Sequence, residues 1–339
     1  MTNAQVVTSE ISFKNTLMFA NDNNQSLELI TEKGYYKFDD KTGEFNAQTV
    51  SGIEKISNHL ISNETYLTTN ILGKTYFLLN GGGELYSISN QVINREDYSF
   101  AHKNQFNGHL FTVNNRIYYY GGYGFYRSKD FFVFFNNPTL DWQILTHENE
   151  TVPRGRMNAL FQTFEHKIYV AGGIHASGKN NITELNDVFS FDTKEKTFSL
   201  LGTLNSKIQN TVFKWYTPTH LNFGLFINNK HQLVKISLPD NQFETYIGLE
   251  SLLKNNNSPL TVVGDSLYFI TTLESQKYLN RIALKKLILY KNQQGDLFEK
   301  TKEPNYTNII FILLGLLTLF VFFKIFKLVD SIKNDTPNQ

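Results

Sequence analysis

Arg154-Gly155-Arg156-Met157-Asn158-Ala159, then Ile168-Tyr169-Val170-Ala171-Gly172-Gly173, then Asn186-Asp187-Val188-Phe189-Ser190-Phe191-Asp192, decides the reading of this chain. A polar lead-in is followed by an apolar strand that ends on two glycines. An acid then opens a second alternating strand, and a turn leads to Phe198-Ser199-Leu200-Leu201. The same order recurs upstream. Asn115-Arg116-Ile117-Tyr118-Tyr119-Tyr120-Gly121-Gly122 aligns without gaps to His166–Gly173 at an offset of 51, and Asp130-Phe131-Phe132-Val133-Phe134 and Trp142-Gln143-Ile144-Leu145 follow it. Lys74-Thr75-Tyr76-Phe77-Leu78-Leu79-Asn80-Gly81-Gly82, with Glu84-Leu85-Tyr86-Ser87-Ile88 behind it, is a looser copy. A recurrence of 40–51 residues built from short strands marks a repeat architecture.

Three units without the double glycine extend the series: Ser26 to Phe45, Phe223 to Tyr246 and Leu260 to Tyr290. That makes six. The strong copy at 154–201 resembles one kelch repeat, and the resemblance is good over 107–145 and partial over 65–100. It implies one four-stranded propeller blade per repeat. Each such blade is apolar on both faces and buries them only against its neighbours, so the array is expected to close on itself. The expected fold is all-β: a six-bladed kelch-type β-propeller over residues 11–298, followed by a single C-terminal transmembrane α-helix. Ile11 to Ala20 and Leu287 to Tyr290 read as strands from the two ends that share one blade and lock the ring.

Composition agrees with this. The chain has 339 residues, 38 of them Asn, with 29 Phe and 18 Tyr; Asn suits turns and aromatics suit strands. The formal net charge is +1, which excludes the domain-wide basic footprint of a nucleic-acid binder. There is no Cys, so disulfides, thiolate metal sites and the Cys-Tyr copper chemistry of galactose oxidase, which shares the kelch-type architecture, are excluded. The Asn-x-Ser/Thr triplets occur about as often as chance gives for so many Asn, and carry no argument for glycosylation.

From Pro304 to Phe323 no charged residue occurs. Residues 299–307 read as a linker, 308–326 as the membrane span, and 327–339 as a disordered tail. Ile309 to Phe326 makes a helix of about 27 Å, enough for a bilayer core if Lys324 snorkels. Thirteen Leu, Ile, Phe and Val residues between Ile309 and Phe323 favour insertion by roughly 4–8 kcal/mol. Lysines flank the span three against three, so charge sets no orientation. The propeller side is cytosolic if Met1 is the true start, and extracytoplasmic if an upstream signal peptide is missing. The chain is thus expected at a membrane, as a single-pass protein with a C-terminal anchor.

Candidate chemistry is sparse. The eight His are scattered and none sits in a His-Glu-x-x-His pattern, so no metal or cofactor is expected and no catalytic residue is assigned. His102 and His109 read as solvated residues flanking a turn. The offset of 51 sets Lys103, Gln105 and Asn107 opposite Arg154, Arg156 and Asn158, on the approach to one end face, where kelch proteins commonly bind partners through loops. Arg offers a planar fork for carboxylates. The alternative is that Arg154 and Arg156 only brace the blades. His175, in the loop to Asn186, and Trp215 and His220, in the loop from Lys207, complete the candidate binding set. The function expected is that of a non-catalytic module binding a protein or carbohydrate partner. The alternatives are a sugar mutarotase-like kelch enzyme, or the sensor domain of a truncated signalling protein.

Overall fold

The computed structural model describes residues 7–11, 13–21, 25–57, 59–98, 105–148, 152–178, 181–208, 217–218, 222–256, 258–300 and 318–325. The chain divides into two units, residues 1–299 and 300–339.

The first unit is a ring of six antiparallel sheets. Blade 1 holds Thr16–Asn21, Ser26–Thr31, Gly34–Asp39 and Glu44–Gln48. Blade 2 holds Tyr66–Ile71, Lys74–Leu79, Leu85–Ser89 and Val92–Arg95. Blade 3 runs His109–Val113, Arg116–Tyr120, Phe132–Asn136 and Asp141–Ile144, and blade 4 Leu160–Phe164, Lys167–Ala171, Asp187–Asp192 and Thr197–Leu204. Blade 5 comprises Thr217–Pro218, Gly224–Ile227, Leu233–Ser237 and Gln242–Tyr246. Blade 6 takes Thr261–Val263, Ser266–Leu273 and Gln276–Ala283 from the end of the ring and Val7–Ile11 from its beginning.

Strand alternation places neighbouring residues on opposite faces of a blade, and six hydrophobic clusters show where those faces go. In blade 3, Leu110 and Tyr119 pack toward Leu78 and Leu85 of blade 2. Phe111, Tyr118 and Tyr120 pack toward Phe161, Val170 and Phe189 of blade 4. Corresponding clusters fill the junctions of blades 1 and 2, 4 and 5, and 5 and 6. The sixth joins Tyr268 and Ile270 of blade 6 to Met18, Leu29 and Phe38 of blade 1, and so closes the ring. Among the described residues each cluster spans two neighbouring blades, so the repeats stand or fall together.

The closure differs in residues from the sequence expectation. The exchanged strand is Val7–Ile11, paired antiparallel with 277–281. Thr16–Asn21 is instead the inner strand of blade 1. Leu287–Tyr290 is no strand: Leu284–Tyr290 forms a 3-10 helix. Leu284, Leu287 and Tyr290 recur every third residue and pack into the blade 5–6 cluster, which is the period of that helix.

The chain then turns back along the ring. Lys291–Asp296 adds a fifth strand outside blade 5, and Phe298–Lys300 a fifth strand outside blade 4. Leu297 and Phe298 are buried in the blade 4–5 cluster. The Asn241 side chain clasps this belt: Nδ2 donates to the Phe298 carbonyl (3.0 Å) and Oδ1 accepts from the Phe298 N–H (2.7 Å). Glu299 and Lys300, expected in a linker, therefore belong to a strand.

Of the second unit, residues 318–325 are helical and exposed. Among the described residues no helix is long and apolar enough to cross a membrane. The rest of the expected span Ile309–Phe326, most of the linker and the whole tail lie outside the described residues.

Candidate functional site

On one end face, the segments that lead into blades 3 and 4 meet the loops joining the second and third strands of those blades. The double glycines make the meeting possible. Gly121 and Gly122 have φ of 72° and 88°, and a Cβ on Gly121 would come within 2.5 Å of the Arg156 carbonyl oxygen. Only glycine offers both the left-handed backbone and the room. The Gly122 N–H donates to that same oxygen at 2.8 Å.

The repeat offset has a structural meaning here. Gln105 Nε2 donates to the carbonyl of Gly121 at 2.9 Å, and Arg156 Nη1 donates to the carbonyl of Gly172 at 2.9 Å. Each lead-in side chain locks onto the first glycine of its own blade. Asn107 and Asn158 share left-handed φ of 59° and 52°, which Asn tolerates, and the Asn158 N–H donates to the Asn107 carbonyl.

Arg156 is buried and its fork is occupied from within. Nη1 and Nη2 reach the two carboxylate oxygens of Asp187 at 3.0 and 2.8 Å, Nε donates to the Arg154 carbonyl, and the guanidinium lies over the Phe189 ring at 4.8 Å. Arg156 is a brace, not a partner contact; the carboxylate that its geometry suits is the chain's own. Gln105 is likewise buried, and Tyr119 donates its hydroxyl to the Gln105 carbonyl. Asn107 and Arg154 are exposed. His175 sits in the hairpin Ile174–Ala176 with Ile182–Glu184, its Nδ1 2.6 Å from the Gly155 carbonyl. Lys103, Trp215 and His220 lie outside the described residues.

His109 corrects another expectation. It opens the inner strand of blade 3 instead of flanking a solvated turn. Its Nε2 accepts the Ala159 N–H at 3.1 Å and its ring stacks on Phe161. Burial pushes its pKa down to about 4, so it is neutral near pH 7. Among the described residues no three His, Asp or Glu side chains gather as a metal site.

An exposed feature of this face is one the sequence reading passed over. Tyr123–Gly124 pairs with Arg127–Ser128 across a two-residue turn, Phe125-Tyr126. Both turn residues have positive φ, 50° and 63°. That is the backbone of a hairpin turn normally filled by Asn-Gly or Gly-Gly, and bulky side chains there carry strain of order 1 kcal/mol or more each. Phe125 is 73% and Tyr126 68% exposed, so no buried contact repays the strain. The hairpin is zipped to its neighbour: Arg127 bridges Ser177, the Ala176 N–H donates to Ser128 Oγ, and the Gly178 N–H donates to the Tyr126 carbonyl. Phe106, also exposed, bridges Tyr123 on the other side. Three cations accompany this crest. Lys129 Nζ lies 5.6 Å from the Phe125 ring, and burial together with the charge of Arg127 lowers its pKa. Among the described residues Arg127, Lys129 and Arg154 make no ion pair. Only the dipeptide's place between Gly124 and Arg127, in a loop that follows a double glycine, could have pointed to it.

No curated protein matches the chain. Residues 155–205 match the kelch motif, a span that takes in blade 4 and the buried Arg156 that braces it. The chain is a six-bladed β-propeller, one blade of which matches the kelch motif.

Proposed function

We propose that this propeller is a non-catalytic binding scaffold, tethered to a bilayer through Ile309–Phe326, whose crest at Phe125 and Tyr126 takes up a protein or glycan partner. The observation that carries the reading is the exposed aromatic pair held in a strained backbone on two cross-linked hairpins. Strain kept at a solvent-exposed aromatic tip is the mark of a contact made with another molecule, and aromatics and Arg dominate the energetics of such contacts. The sugar-isomerase alternative finds Arg156 already bonded to Asp187.

A photo-crosslinking residue at position 125 should give adducts of reproducible mass from the native membrane environment. The same residue at Leu200, an exposed position on blade 4, should give none. The adducts should vanish when Arg127 and Arg154 are changed to Glu. Equal labelling from both positions would sink the reading.

A further inference from the structure

The 3-10 helix Leu284–Tyr290 has a second side. With three residues per turn, side chains three apart eclipse. One ridge, Leu284-Leu287-Tyr290, faces the core. The other two are Lys285 with Ile288 and Lys286 with Leu289, so each outward ridge carries a lysine followed by an aliphatic. Ile288 and Leu289 are each 66% exposed. Ile247 is exposed beside them, its N–H donating to the Tyr290 carbonyl at 2.9 Å. Among the described residues neither Lys285 nor Lys286 makes an ion pair. Of the acids nearby, Glu250 accepts the Gly248 N–H and Glu244 pairs with Lys291 and Lys235, while Asp265, whose backbone carbonyl accepts the Leu284 N–H, is exposed at the start of the helix.

Adjacent aliphatics interleaved with unpaired lysines, on an element pinned from below by Leu287, have the composition of segments that lie in a membrane interface. The aliphatics enter the boundary region, the lysine stems lie along them, and the ammonium groups meet anionic headgroups. The apolar run from Ile309 begins 19 residues after Tyr290, so the tether would keep a bilayer close at hand.

We infer that Lys285–Leu289, with Ile247, docks the propeller onto an anionic bilayer surface. This rests on the membrane-tether part of the proposed function. The chain has no Cys, so Leu289→Cys gives the full-length protein a single thiol for an environment-sensitive fluorophore, and Phe125→Cys gives a second reporter on the crest. Both are mixed with phosphatidylcholine vesicles, alone and with one quarter phosphatidylserine. The label at 289 should brighten and shift to the blue on the mixed vesicles far more than on phosphatidylcholine alone. Adding Lys285→Gln and Lys286→Gln should weaken that docking about 25-fold, at about fivefold per lysine neutralised. The label at 125 should stay aqueous. A label at 289 that remains aqueous while the chain resists alkaline extraction overturns the docking and leaves the tether standing. A chain that neither docks nor resists extraction overturns both. Equal shifts on both vesicle types, or brightening without vesicles as protein concentration rises, also overturn it, the last in favour of self-association.

Discussion

Replacing Phe298 with Ala tests whether the C-terminal belt is part of the ring. Phe298 is buried with Leu204, Ile208, Phe243 and Leu297 between blades 4 and 5. Truncating a buried Phe costs about 3–5 kcal/mol where the surroundings cannot collapse into the space. Collapse is restricted here, because the flanking backbone is held by Asn241 on both sides of Phe298 and by the Asn205 N–H donating to the Leu297 carbonyl. A cheaper escape exists: the belt can peel off locally, which caps the loss at the free energy of detaching it. The two outcomes are separable. Loss shared by the ring lowers the urea midpoint of the whole propeller and its Tm, by about 2–4 °C per kcal/mol for a protein this large. Peeling leaves the midpoint near the wild type and abolishes hydrogen-exchange protection over 291–300. Gly202→Ala supplies an independent perturbation, since its Cβ would collide with the Glu299 carbonyl oxygen without removing any apolar surface. If Phe298→Ala moves neither the midpoint nor the exchange of the belt, the packing argument is wrong.

Other outcomes follow from the same geometry. Arg156→Lys keeps the charge but loses the two-pronged grip on Asp187; it should cost roughly 1.5–3 kcal/mol in urea unfolding, the scale of a lost hydrogen bond to a charged group. Changing Phe125-Tyr126 to Asn-Gly should raise stability by roughly 1–2 kcal/mol by relieving the left-handed strain, while abolishing crest crosslinking; a variant that is both less stable and still competent in binding would contradict the assignment. His109 has a folded pKa of about 4, below its unfolded value of about 6.5. Its contribution is complete above pH 6.5 and is lost as pH falls toward 4, at up to about 1.4 kcal/mol per pH unit. His109→Gln should flatten that part of a stability-against-pH curve.

The blades were legible because their chemistry is local. A strand ending in two glycines, an acid, a second strand and an aromatic are all written within about 45 residues, and burial on both faces makes the strands strongly apolar. The belt was not legible. Lys-Asn-Gln-Gln-Gly-Asp at 291–296 is the composition of a linker, because an outermost strand is solvated along one side and only Leu297 and Phe298 carry an apolar signal. Leu284–Tyr290 misled in the opposite way: its apolar residues are dense enough for a strand, and the period of three is visible only once Lys285 and Lys286 are taken as outward. Arg156 showed the right chemistry without its partner, since Asp187 lies 31 positions away across a double glycine. Phe125-Tyr126 carries no turn residue at all; the backbone is imposed by the hairpins on either side.

The exchanged strand also puts a clock on biosynthesis. Val7–Ile11 is made first, yet its partner Gln276–Ala283 follows some 265 residues later. At about 5–20 residues per second, elongation leaves that strand waiting for roughly 13–53 s. Throughout that interval the apolar flanks of blade 1 and of the newest blade are open, and the waiting strand is free to pair with another nascent chain. Ring closure is therefore a late event of translation, and the interval before it is when this protein would most depend on a chaperone.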